Sequence, residues 1–250
     1  MIVYQTPTGW SVIYHRAHAL LAAKLAGHWD RRNAPVRLYE TIAAISHHDD
    51  LEKEWEGDHL TPAGAPMDFT LSATPDEVSL QMWRKHIENA RYRGRWVTFL
   101  TSKHCCFLND KKRSVSGEWK DFLDEQAEIQ RRFPKELDID EEEAERAYQF
   151  MRWCDRLSLI LTRRQIPEAG RALEITSGID GIRYDVRQIE DGRLTIEPWC
   201  FEETEFTVSV ESIELSRLQF NDNEDLVNAL KTAPIETLEW TFTKTNPANI

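Results

Sequence analysis

The chain has 250 residues, 41% of them hydrophobic and 30% charged, enough for one large or two modest domains of ordinary globular composition. A net charge of -12 argues against nucleic acid and against an anionic membrane surface as partners, because both demand a basic face. No run reaches the roughly 20 apolar residues of a membrane span, and MIVYQTPTGW at the start lacks the basic and apolar parts of a secretory signal, so the expected compartment is the cytoplasm.

The first 14 residues read as a β-hairpin, with Pro7-Thr8-Gly9 as its turn. A helix follows over 15–29, with Leu21, Ala22, Leu25 and Trp29 on one face. A second spans 37–50, where Leu38, Ile42 and Ile45 form the stripe. The stretch 57–72 is rich in Gly, Pro and Asp. It is long for a loop in a compact domain, and such loops tend to carry function. Thr74-Pro75-Asp76-Glu77 reads as a helix start, with Thr as N-cap and Pro in the first helical position. That third helix runs to about 93. A fourth covers 95–108, a fifth 117–132 ended by Pro134, and a sixth 140–164. The acidic block Asp140-Glu141-Glu142-Glu143 complements the dipole at the start of the sixth.

Near residue 170 the period changes. Asp191-Gly192 between two alternating runs is a hairpin signal. Phe206, Val208 and Val210 alternate with polar residues, as do Leu238, Trp240 and Phe242. A short helix is predicted at 223–232. The N-terminal hairpin should join this sheet, because a lone two-stranded hairpin is barely stable. The predicted fold is therefore mainly α. A helical core, 15–164, is flanked by a small β-rich module made of 165–250 and the hairpin 1–14. Cys105, Cys106, Cys154 and Cys200 lack CxxC spacing and read as reduced thiols.

Six ionisable residues fall within the predicted helices, most of them where the helical period wants an apolar side chain. His18 shares the face of Leu21, Ala22 and Leu25. Asp49 continues the Leu38, Ile42, Ile45 face with His48 at its flank, while His47 points the other way. His86 shares a broad face with Met82, Trp83 and Ala90. His104 sits with Val97 and Leu100, and Asp155 between Met151 and Leu159. One such histidine alone reads best as a satisfied core residue. Together they read as a shared cation site, because burying several unpaired ionisable groups costs several kcal/mol each.

Imidazole and carboxylate donors suit a divalent transition metal: Fe, Mn, Ni, Co or Zn. His18, His48, Asp49 and Asp155 would hold one ion. His86 and His104 would hold a second, bridged by Asp49, which is also the candidate catalytic residue. Lys103, Arg152 and Arg156 flank these positions. They are candidates for binding an anionic small-molecule substrate, with surface ion pairing as their default role. Trp29 and Trp55 are candidate pocket walls. A homo-oligomer is compatible with the sequence.

The order His18, His48-Asp49, His86, His104, Asp155 resembles that of the HD superfamily of helical metal-dependent proteins. Ala44-Ile45-Ser46-His47-His48-Asp49-Asp50, Ser102-Lys103-His104 and Trp153-Cys154-Asp155-Arg156 look, more narrowly, like an uncharacterised bacterial domain-of-unknown-function family. The resemblance implies an HD-like helical core with one or two metal ions. Most HD relatives are phosphohydrolases of nucleotides or phosphodiesters. A minority are di-iron oxygenases that cleave C–C or C–P bonds with this same six-ligand order. In several branches Gly-Lys closely follows the His-Asp pair. Here Asp50-Leu51-Glu52-Lys53 follows, so the lysine's role does not carry over. The expected function is a metal-dependent hydrolase of a phosphorylated or nucleotide-like small molecule. The alternatives are the di-iron oxygenase and a non-catalytic metal- or ligand-binding protein.

Overall fold

A computed structural model describes residues 1–72 and 74–245. The chain opens with an antiparallel hairpin, β1 (Ile2–Gln5) and β2 (Trp10–Ile13). Gly9 closes its turn where only glycine fits, since a Cβ there would lie 1.8 Å from the carbonyl oxygen of Leu215. Five of the helices follow in two groups. They are α1 (His15–Gly27) and α2 (Leu38–His47), then α3 (Asp76–Arg91), α4 (Arg95–Asn109) and α5 (Gly117–Glu136). The long α6 (Glu141–Thr162) crosses behind them. It packs on α1, α2 and α4, while α4 also packs on α2, α3 and α5.

Local chemistry sets the helix ends. Asp140 caps α6 by accepting the Glu143 N–H at 2.8 Å, and three glutamates occupy the first turn. The capping box predicted at Thr74 does not form. The Thr74 hydroxyl is engaged with Ser72 at 3.2 Å, and Pro75 occupies the cap position instead. Pro134 does not end α5. It sits in the last turn, where a missing N–H removes few backbone bonds.

The second half supplies β3 (Leu173–Thr176), β4 (Tyr184–Gln188), β5 (Leu194–Glu197), β6 (Glu205–Leu215), α7 (Asn223–Thr232) and β7 (Ile235–Thr243). Together with the hairpin they form one seven-stranded sheet in the order β1-β2-β6-β7-β5-β4-β3. The Asp191-Gly192 hairpin joins β4 to β5, with Gly192 at φ 86°. The N-terminal hairpin docks as expected, Val12 pairing with Ile213 across β2 and β6.

The expectation of a mainly α fold with a small β module is overturned. The chain is about 49% helical and 18% strand, and its sheet curls as a half-barrel in a mixed α/β fold. Packing supplies the reason. Leu21, Leu25, Phe150 and Trp153 of the helices share one continuous core with Val186, Ile196, Val208 and Phe242 of the sheet. Neither layer buries its apolar face without the other. A smaller cluster of Met1, Val12, Ile213, Phe220, Leu226 and Leu230 lies beneath α7. No helix among the described residues is long and apolar enough to cross a membrane.

Candidate metal centre

Four elements bring five of the six predicted donors together. α1 supplies His18, the turn after α2 supplies His48 and Asp49, α4 supplies His104 and α6 supplies Asp155. The α2 helix ends at His47, yet His48 keeps helical angles of φ -63° and ψ -26°. The helical phase therefore carries past the helix end. His48 turns inward and is buried, while the half-buried His47 bonds to Asp50 at 2.8 Å. Helical phase selects His48 over His47 for this reason.

His18 Nε2 lies 2.6 Å from Asp49 Oδ2. His48 Nε2 lies 3.1 Å from Asp155 Oδ1 and 3.7 Å from Asp49 Oδ2. The His48 ring also sits 5.2 Å, centroid to centroid, from the rings of both His18 and His104. His18, His48 and Asp49 form one compact donor group, and His48, His104 and Asp155 form another. His48 is common to both.

The protons on the outer ring nitrogens are fixed by their partners. His48 Nδ1 lies 2.6 Å from the Ile45 carbonyl, which only accepts, so Nδ1 carries the hydrogen. The Ser158 hydroxyl donates to the Asp155 carbonyl at 2.8 Å, so its oxygen accepts from His18 Nδ1 at 3.0 Å. Both Nε2 lone pairs thus face carboxylate oxygens. Two acceptors at such distances repel unless a proton or a cation lies between them. This donor set fits a borderline divalent ion, with Ser158 and Ile45 orienting the rings as outer partners of metal-bound histidines do.

Without an ion, a proton takes that place at His48. Burial opposes a charge on His48, but Asp49 and Asp155 outweigh it and push His48 up to about 10. Burial likewise opposes charge on both carboxylates, and His48 beside them holds Asp155 low and Asp49 well below the usual range. His104 is pushed down to about 4, first by burial and then by the charge on His48. Asp49 and Asp155 keep 24% and 18% of their side-chain surface, so both side chains reach solvent.

His86 stands outside both donor groups among the described residues. Its Nε2 is buried without a hydrogen-bond partner, as is His104 Nδ1. Burial pushes His86 down to about 4. The predicted substrate-binding residues separate. Lys103 is held by Glu145 at 2.7 Å. Arg152 lies over the Phe107 ring at 4.0 Å, close enough to His104 to act on its charge. Arg156 turns to Gln165 at 3.4 Å. Trp29 packs edge-on against Phe150 and Trp153 in the core. Sequence reasoning missed Ser158, although its place one turn after Asp155 on the same buried face was a usable signal.

A cleft of about 1040 Å³ lies beside the centre. Its lining includes His47, Asp50, His86, Val97 and Thr101. Val97 and Thr101 share the α4 face of His104 and Asp50 directly follows Asp49, so the cleft adjoins the His/Asp centre. The loop 57–72 contributes His59, Met67, Phe69 and Leu71 to the outer wall, a concrete use for its length.

Fold and centre together define a mixed α/β protein with a buried His/Asp donor cluster beside a cleft. The chain belongs to the family described as "Protein of unknown function (DUF3891)", which matches residues 1–217. The match runs through β6, so most of the sheet belongs to the family as much as the helices do. No curated protein and no solved structure matches the chain.

Proposed function

We propose that this protein is a metal-dependent hydrolase of the phosphohydrolase type, related to the HD superfamily, acting on a small phosphorylated or nucleotide-like substrate. The observation that carries the reading is the pair of oriented histidines. His18 and His48 each spend Nδ1–H on a fixed acceptor and aim Nε2 at a carboxylate. His48 has one free nitrogen, so the two donor groups that share it describe one principal ion held by His18, His48, Asp49 and Asp155. A divalent ion held there supplies Lewis-acid polarisation of a phosphoryl oxygen and a water acidified toward neutral pH. Asp49 meets both histidines through Oδ2, leaving Oδ1 to orient an attacking water and take its proton. Ser158 keeps His18 in the donor tautomer. Arg152, beside His104, is the best placed of the three predicted cations to meet an anionic group.

A second reading, a two-ion oxygenase, is favoured by the unpartnered His86 Nε2 and His104 Nδ1. Elemental analysis of protein loaded with Mn, Fe, Ni or Zn, paired with turnover of a phosphate-ester panel, separates the two. One ion per chain and ester hydrolysis lost in His48→Ala is the expected result. Two irons per chain and oxygen consumption would transfer the assignment to the oxygenase. No stoichiometric metal by any route would sink both.

A further inference from the structure

The cleft beside the centre is larger than a phosphate needs and unevenly charged. At about 1040 Å³ it reaches the upper end of small-molecule sites. Its acidic lining residues are all engaged. Asp50 pairs with Arg16, Glu52 with the N-terminal ammonium of Met1 and Glu56 with Lys53, while Asp58 accepts from the neutral Asn223 amide. Lys85 and Arg93, on the wall formed by α3 and the residues after it, have no carboxylate partner among the described residues. The uncompensated charge of this wall is positive in a chain of net charge -12. His86, buried and unpartnered at Nε2, follows Lys85 in the same lining and lies near enough to Asp49, His48 and His104 to feel their charge.

Three apolar side chains also stand exposed along this lining. Leu71, Val78 and Tyr92 are 64%, 50% and 86% exposed, and all three line this one cavity. Val78, Met82 and then Lys85 and His86 follow one another at helical spacing on α3, and all four line the cleft. An exposed apolar rim around a concave site marks a ligand surface.

We propose that this cleft binds the organic part of the substrate, and that the substrate is a phosphate ester with an aromatic or aliphatic body rather than a small polar one. The assignment rests on the hydrolase reading above. Lys85 and Arg93 meet the anionic group. Leu71, Val78 and Tyr92 cover the apolar body at the rim. Arginine and lysine differ here in role: Arg93 offers a planar fork, Lys85 a point charge.

The test uses the metal-loaded full chain with 1-naphthyl phosphate and glycerol 3-phosphate. The expected result is a kcat/KM about tenfold or more in favour of the naphthyl ester. Lys85→Met/Arg93→Met should raise KM for both esters about tenfold, with a smaller change in kcat. Leu71→Asn/Val78→Asn should raise KM for the naphthyl ester more than for the glycerol ester. Equal efficiency on the two esters, or a KM unmoved by the double charge variant, overturns the proposal while hydrolysis itself stands. If neither ester turns over, calorimetric binding of 1-naphthyl phosphate decides. Binding weakened about tenfold in Lys85→Met/Arg93→Met keeps the cleft assignment and removes the hydrolase one. Equal binding by variant and parent overturns the cleft assignment as well.

Discussion

Metal binding at this centre should expel a proton, and the structure says which one. In the ion-free protein His48 is pushed up to about 10, burial opposing the charge and Asp49 and Asp155 more than restoring it. Its Nδ1–H is committed to the Ile45 carbonyl at 2.6 Å, so the proton that must leave is the one on Nε2. At pH 7 the ring lies about three units below its midpoint, and only about one molecule in a thousand is neutral there. Displacing that proton costs about 4 kcal/mol of metal affinity at pH 7, and the cost falls as the solution becomes more alkaline. Affinity for Mn²⁺ should therefore rise about tenfold per pH unit between 7 and 9, with about one proton released per ion. Calorimetric titration at fixed pH, in buffers of different ionisation enthalpy, reads that proton directly. Asp155→Asn removes one of the two carboxylates holding the charge, so it should release less than a full proton and flatten the slope. Binding that is independent of pH over this range, with no proton released, would refute His48 Nε2 as a donor.

Other consequences are separable from that one. Ser158→Ala removes the acceptor that fixes the His18 tautomer, and should weaken metal binding roughly 10- to 100-fold while secondary structure is retained by circular dichroism. His15, His86 and His104 are buried and pushed down to about 3, 4 and 4, burial being the main cause in each. Their unfolded value is near 6.5, so below it the unfolded chain binds protons that the folded chain refuses. The contribution of these three rings is undiminished above pH 6.5 and falls toward pH 4, by about 1.4 kcal/mol per unit for each ring, while the contribution of His48 is lost on the other side, as pH rises from about 6.5 toward about 10. His48 stays protonated in the fold across this window and does not offset the loss. Urea titrations in chelator at pH 7 and pH 5 should show midpoints that differ clearly; matching midpoints would contradict the burial of these rings. Gly9→Ala drives a Cβ into the Leu215 carbonyl at 1.8 Å and should cost about 3 kcal/mol by loosening the hairpin from β6, read as a fall in melting temperature. Asp140→Ala should cost about 1 kcal/mol through the lost cap on α6, with metal affinity unchanged.

The helices were legible in the sequence because each has a stripe at the helical period long enough to stand out, and α6 with its twenty-two residues is the plainest. The sheet was legible only in part. β6 and β7 alternate over eleven and nine residues. β1 to β5 have four or five residues each, and a run that short carries almost no period. The size of the sheet was therefore underestimated, and with it the fold class. Its closure against the helices depends on contacts such as Trp153 of α6 with Tyr184 and Phe201, which join residues by three-dimensional packing and leave no local signature.

The centre shows the same division between what periodicity encodes and what geometry decides. Apolar phase put His18, Asp49, His104 and Asp155 on core faces with His48 at a flank, and the resemblance to the HD order grouped them as one set. His86 met the same criterion and yet stands outside the donor groups, since a shared face says that a side chain points inward and not at which neighbour. What phase cannot supply is the proton inventory. The commitment of His48 Nδ1 to Ile45 leaves a single nitrogen for coordination, and that fact turns two apparent donor groups into one principal site. The number of ions then depends on His104 and His86, whose buried nitrogens lack partners. If His86→Ala leaves one tightly held ion and removes none, His86 belongs to the cleft wall; if it lowers the stoichiometry from two to one, it is a ligand of a second ion and the oxygenase reading gains ground.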